Sequence, residues 1–304
     1  MSSTLDLGWW GVVLAIIAGA IRVSTPYLLV SLGETLTEKS GRVNLGLEGT
    51  LVLGAMSGFA TSYLTGSPWL GLLAAGVSGA AMGLLHALIC NLPRVNDIAV
   101  GIALFIFGIG LAFYLGKPFI EPRAPMLPAL PLGSWSHHPA IRSAFDVSPL
   151  FFIGIALALA LEWGMKNTRW GLIVRMAGDS ADAARAIRRS AYATIAGGFL
   201  SGVGGGFLAL FYPGNWNEGL SSGQGLMAVA LVIFARWSPV RCFYASLLFG
   251  GASAIGPAVQ TVGITEGYYL FYAAPYALTL ALLIYSSSPT QALAGAPNEL
   301  SISR

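Results

Sequence analysis

Two short polar stretches hold the side chains best suited to chemistry. The first, Gly33–Gly54, reads GETLTEKSGRVNLGLEGTLVLG and carries Glu34, Glu38, Lys39, Arg42, Asn44 and Glu48. It lies between apolar runs at Trp9–Leu32 and Leu51–Leu64. The second, Pro213–Gly225, reads PGNWNEGLSSGQG. The two share a loose pattern, Asn44…Glu48-Gly49 against Asn215…Glu218-Gly219. Amide and carboxylate groups beside an indole (Asn44, Glu48, Asn215, Trp216 and Glu218) can hydrogen-bond and stack against an uncharged polar solute such as a sugar ring or a base. The plainer reading makes the first stretch a basic loop, Glu48 a helix-start acid and Trp216 a residue of an interfacial belt. A third chemistry is written at Gly219-Leu-Ser-Ser-Gly223, which fits GxSxG and would make Ser221 a hydrolase nucleophile. That motif needs a strand–turn–helix elbow with histidine and acid partners, and neither is apparent here. The chain has no HExxH, no EF-hand loop and no P-loop, so it has no usual means of hydrolysing ATP. Cys90 and Cys242 have no CxxC or His-rich neighbourhood, which implies neither a metal site nor a disulfide. His86 reads as a hydrogen-bonded packing residue, and His137-His138 as solvated surface.

The elements that must position these groups are membrane helices. Of 304 residues, 55% are hydrophobic and only 10% charged, with mean hydropathy +0.71; soluble domains carry about a quarter charged residues. The predicted fold is all-α, a polytopic helical membrane protein forming one domain over residues 1–304. A crossing takes roughly 20 residues, which leaves room for about eight to ten spans. A polar interruption at bilayer depth is tolerated only where protein buries it or water reaches it. Paired interruptions in the two halves of a chain are a pointer to a transporter's solute site. The net charge of +3 fits basic loops on one membrane face and gives no reason to expect nucleic acid as a partner.

Apolar runs predict spans at Trp9–Leu32, Leu45–Leu64, Trp69–Leu92, Ile98–Leu115, Pro149–Trp163, Tyr192–Phe211, a short Leu226–Phe234, Cys242–Val259 and Tyr268–Tyr285. Asn96 and Asp97 are candidate caps for the fourth. Arg22, inside the first, calls for an acidic partner, with Glu34 or Glu48 the candidates, or else snorkels. Gly79/Gly83 and the glycines between Gly197 and Gly206 predict close helix crossings. The loop of about 116–148 is proline-rich and external, with room for a short helix. The loop of about 167–190 is the most basic in the chain and therefore cytoplasmic. Within it, Asp179–Arg189 has acids first, alanines within and arginines last, the grammar of a short helix. Such a helix suits docking of another protein or contact with anionic membrane lipid. The tail of about 287–304 is predicted to be cytoplasmic.

Thr25-Pro26 with GETLTEKSGRVNLGLEGTLVLGA (33–55) resembles the signature of ABC-importer permeases for nucleosides and simple sugars. In the same order follow RMAGDSADAA (175–184), YPGNWNEGLSSGQG (212–225), LFGG (248–251) and APYALTL (274–280). The resemblance implies a type II-like permease with interrupted helices in a bacterial inner membrane. It also implies a second permease subunit (a heterodimer favoured over a homodimer), a cytoplasmic ATP-binding subunit and an extracytoplasmic solute-binding protein. ATP-Mg would be held by the ATPase, leaving no cofactor in this chain, and the chain itself would be a transport subunit and not an enzyme. By the same likeness Arg175, Asp179, Asp182, Arg185 and Arg188 belong to a coupling helix seated in the ATPase. Where the family usually reads GENPKAADAAGI, this chain has GDSADAARAIRR. The expected activity is import of a nucleoside or nucleobase-like solute by alternating access, with a monosaccharide or sugar-derived solute as the second reading. A passive channel and an intramembrane serine hydrolase are the readings of a different class.

Overall fold

The computed structural model describes residues 9–92, 94–120, 122–137, 141–142, 145–179, 190–260, 270–271, 273–286 and 297. Its helices are α1 (Trp9–Lys39), α2 (Leu47–Thr65), α3 (Pro68–Cys90), α4 (Asp97–Gly116), α5 (Pro149–Asn167), α6 (Arg169–Asp179), α7 (Ser190–Leu210), α8 (Gln224–Phe234), α9 (Pro239–Gln260) and α10 (Ala274–Ser286). One antiparallel pair of two-residue strands, β1 (Leu130–Pro131) and β2 (Asp146–Val147), is the sheet among the described residues. Six helices there are long and apolar enough to cross a membrane, so the chain is a multi-pass membrane protein with an all-α architecture.

Local chemistry sets the helix ends. Asn96 accepts from the amides of Ile98 and Ala99 and so caps α4, as its sequence position suggests. Ser148 accepts from the Leu150 amide at the start of α5, with Pro149 just inside. Gly66, at φ 74°, ends α2 in the left-handed conformation. Thr168 both closes α5, donating to Gly164 O at 2.6 Å, and opens α6, accepting from Gly171 N at 3.1 Å.

Two expectations change here. The first helix does not stop at Leu32 but continues to Lys39. Thr35 and Thr37 return their hydroxyls to the carbonyls of Ser31 and Gly33, and Glu, Leu and Lys favour the helix. Gly33 is thus a crossing point rather than a break: a Cβ added there would strike the backbone of Gly197. Nor does Arg22 reach Glu34, which lies twelve residues on, about 18 Å along the same helix. Its guanidinium stands over the Tyr212 ring, 5.9 Å from the centroid.

The bundle is built on α7, whose glycine-rich surface receives α1, α2 and α3. The crossing with α3 is close at Gly79, where an added Cβ would lie 2.7 Å from Gly202 Cα and nearer still to Gly198 O. Backbones meet there because no side chain holds them apart. The described part of the 116–148 loop packs as a lid on one end of the bundle. Leu127 N donates to Leu210 O at 2.9 Å, and Ser62 Oγ to Pro125 O at 2.7 Å. A 3₁₀ turn at Lys117–Phe119 opens the loop, and Ile141 and Arg142 further along it are helical.

Replacing Gly79 by leucine forces α3 off α7 and should cost about 1–3 kcal/mol or more. Gly110 faces open space, so Gly110→Leu is the matched control. Thermal unfolding of the purified protein in detergent should show a lower midpoint for the first variant and none for the second.

Candidate functional site

The two polar stretches meet. The first leaves α1 at Lys39 and runs through residues 40–46 beside the opening turns of α4, with Gly101 against Leu45 and Gly46 against Leu104. Gly49 then faces Phe105 and Gly108, the middle of the 20-residue α4. The second stretch leaves α7 at the opposite end, where Trp216 donates its indole N–H to Gly116 O, the last carbonyl of α4, at 3.0 Å. From there the chain turns inward to Ser221. Both interruptions therefore travel about half the depth of α4, from opposite ends.

Glu48 is the point of contact. It stands in the first turn of α2 and is 4% exposed. Its Oε1 accepts from Ser221 Oγ at 2.5 Å and from Gly223 N at 3.0 Å, and its Oε2 from Gly225 N at 2.6 Å. Those amides open α8, whose N-cap position is Gly223 at φ 82°, with no capping side chain of its own. The first amides of a helix lack intrahelical partners and carry the positive end of its dipole. A carboxylate delivered from another helix satisfies both needs. Gly225 is required: a Cβ there would lie 2.6 Å from Glu48 Cα and 2.8 Å from Oε2.

The remaining candidates divide. Asn44 is buried and shapes the first turn, its N–H donating to Glu34 Oε1 at 2.9 Å while its Oδ1 accepts from Gly46 N at 2.9 Å. Trp216 is 2% exposed and anchors the second stretch to α4. Asn215 and Glu218 are exposed on the outer turn; Asn215 Oδ1 accepts from Asn217 Nδ2 at 3.3 Å. Glu48 alone of the five spans both stretches. Sequence reasoning passed over Ser221 as its partner, naming it only as a nucleophile. In place, the Ser221 hydroxyl is committed to Glu48, His137 is an exposed loop residue and His86 lies in the last turns of α3 among Cys90 and Asp97.

A second buried carboxylate set was also missed. Glu34 and Glu38, 0% and 2% exposed, occupy the last two turns of α1. Glu38 Oε2 accepts from the indole N–H of Trp237. The spacing i, i+4 was the available signal, since it puts both on one helix face. Arg42 is likewise no solvated loop cation: it bonds Asp97 Oδ1 at 2.9 Å, Cys90 O at 2.8 Å and Asn91 Oδ1 at 3.1 Å.

In the basic loop, Arg175 and Asp179 are exposed on α6, a helix preceding the one expected at Asp179–Arg189. Asp182, Arg185 and Arg188 lie outside the described residues. Gly178 of α6 rests against the Lys39 carbonyl, joining this loop to the start of the first interruption. A groove of about 270 Å³ opens on α6, lined by Arg169, Trp170, Ile173, Val174 and Tyr192. His86, expected to be hydrogen-bonded, is fully buried with neither ring nitrogen partnered.

Residues 16–286 match the family described as the permease component of branched-chain amino acid transport systems. The chain is similar to the nucleoside ABC transporter permease NupC of Lactococcus lactis subsp. cremoris, at 30% identity over 88% of this chain and 90% of NupC. The guanosine ABC transporter permease NupQ of Bacillus subtilis is 29% identical over 89% of this chain and 92% of its own. TsgC13, an ABC transporter permease of Haloferax volcanii whose name carries glucose, is 30% identical over 80% and 77% respectively.

Glu48→Ala removes three bonds to a charged acceptor, each worth about 1.5–3 kcal/mol. The amides of Gly223 and Gly225 should then exchange hydrogen faster, with those of α7 unchanged. Unaltered exchange at both would show that the junction does not depend on this carboxylate.

Proposed function

The chain belongs to the family of branched-chain amino acid transport system permease components, and from that membership we propose that it imports a nucleoside or nucleobase-like solute across the cytoplasmic (inner) membrane. It is the permease subunit of an ABC transporter, a transport component and not an enzyme. That membership implies an ATPase and a solute-binding protein as partners. The serine-hydrolase and passive-channel readings give way to it.

What carries the proposal is the junction at Glu48 between two interruptions, in a chain similar along most of its length to NupC and NupQ. Two helix starts meeting at half depth are the arrangement by which transporters expose backbone donors to a solute. While Glu48 occupies those donors the route is shut at this point. Motion that separates α2 from α8 frees a carboxylate, a hydroxyl and two amides, groups matched to the amino, carbonyl and hydroxyl groups of a neutral nucleoside. Asn44, Asn215, Trp216 and Glu218 border the two interruptions and contribute to the same path. A sugar is the second reading, favoured by the likeness to TsgC13.

The drive enters at the basic loop. Arg175, Asp179, Asp182, Arg185 and Arg188 form the surface that seats in the ATPase, and the contact of Gly178 with Lys39 hands its displacement to the first interruption. One permease domain over the whole chain, paired with a second and related permease, completes the pore. ATP binding and hydrolysis then alternate the opening between the two faces.

The complex reconstituted with its ATPase and binding protein should take up a labelled nucleoside, and unlabelled nucleosides, not glucose, should compete. Competition by glucose alone would overturn the nucleoside reading in favour of the sugar. In the same vesicles Arg175→Glu or Arg185→Glu should lower uptake by roughly tenfold, the size of a lost coupling energy, while ATP hydrolysis persists. Full coupled uptake in both variants would remove the docking role.

A further inference from the structure

We propose that His86, Cys90 and Asp97 form a binding site for one zinc-type divalent metal ion at the junction of α3 and α4. His86 and Cys90 are four residues apart on α3 and so share one face. Asp97 is the first residue of α4, brought back to them by the turn that follows Cys90. One ligand atom from each residue lies within 4.8 Å of the other two. Bonds of about 2.0–2.3 Å to zinc put tetrahedral ligands roughly 3.3–3.8 Å apart, so side-chain adjustment alone closes the set.

A second observation points to a ligand independently. His86 is 0% exposed, yet neither Nδ1 nor Nε2 has a hydrogen-bond partner. Buried polar nitrogens are ordinarily satisfied, and an orphaned one needs a reason. A metal ion takes up an imidazole lone pair without requiring a hydrogen-bond donor. The two other ligands complete a nitrogen, sulfur and oxygen set, which suits zinc and not the all-oxygen preference of magnesium or calcium.

Arg42 already pairs with one oxygen of the Asp97 carboxylate, so an ion here would share that carboxylate with a guanidinium. Arg42 Nη1 holds Asp97 Oδ1 at 2.9 Å and Cys90 O at 2.8 Å, which fixes the carboxylate and the end of α3 relative to each other. Outer-shell contacts of this kind fix ligands in place. The carbonyl end of α3 adds the negative pole of its dipole. On binding, the Cys90 thiol gives its proton to solvent and the thiolate bonds the ion. The Asp97 side chain is 20% exposed, which provides entry and a water for the fourth position. Because Arg42 belongs to the first interruption, an ion here ties α3 and α4 to the segment leading to Glu48. The set escaped the sequence reading because its third member comes from a different helix.

The full-length protein, purified in detergent and stripped with a chelator, is titrated with Zn²⁺ and separately with Co²⁺. The expected result is one ion per chain, with a thiolate-to-cobalt charge-transfer band that Cys90→Ser abolishes and Cys242→Ser preserves. Asp97→Asn, altering a partly exposed side chain, tests the site should Cys90→Ser fail to fold; its zinc affinity should fall by about tenfold or more. Absence of stoichiometric binding, a band that survives Cys90→Ser, or an Asp97→Asn affinity equal to wild type would each overturn the site.

Discussion

A helix that begins inside a membrane has amides that neither water nor its own turns can satisfy. That constraint governs this molecule. The chain starts α8 at half depth and meets the requirement with a carboxylate from the first turn of α2. The arrangement fixes the rest in turn. Position 225 must be glycine for Glu48 to approach, Gly223 must take a left-handed turn, and Ser221 must direct its hydroxyl to the same oxygen. The path of the second interruption is set at its other end by Trp216 on the final carbonyl of α4. An aromatic residue that sequence logic offers as a stacking platform is, in this conformation, a pin.

The ends of the bundle are joined differently. On the side of Lys39, contacts link α1, the turn between α8 and α9, α5 and α6: Glu38 bonds Trp237, Ser238 bonds Glu162 at 2.9 Å, Glu162 pairs with Lys166 at 2.5 Å, and Gly178 packs against the backbone of Lys39. On the other side the 122–137 segment lies over the ends of α2 and α7 through Pro125 and Leu127. The end of α6 therefore touches the end of α1 at the point where the chain enters the first interruption. Glu34 continues that line inward by accepting from the Asn44 amide. The link is one of contiguous contacts, and it reaches Glu48 without passing through solvent.

Much of this was legible in sequence because membrane helices are declared by composition. The spans, the Asn96 cap, the close crossing at Gly79 and the presence of two interruptions follow from residue type and short spacing. What was not legible depends on pairing across distance. Nothing local distinguishes Glu48, which closes the junction, from Glu218, which is exposed on the outer turn. Ser221 sits in a GxSxG pattern whose meaning changes once its partner is a carboxylate 173 residues away. The reach of α1 to Lys39 was hidden for a related reason. Glu34 and Glu38 read as loop residues until Asn44 and Trp237 supply donors to their buried carboxyl groups. Arg42 followed the same course, its charge spent on Asp97 rather than on water.

The glycine face of α7 has a mechanical meaning. Helices that interlock through large side chains must lift ridges out of grooves, and change many rotamers, before they can shift. Where α1, α2 and α3 meet α7, much of the contact is bare backbone, as at Gly33, Gly54 and Gly79. Such a surface works as a plain bearing: it holds neighbours close, yet offers few teeth to resist sliding along the axis. The core of this bundle can therefore stay densely packed throughout a stroke, and friction, not looseness, is what its small residues have removed.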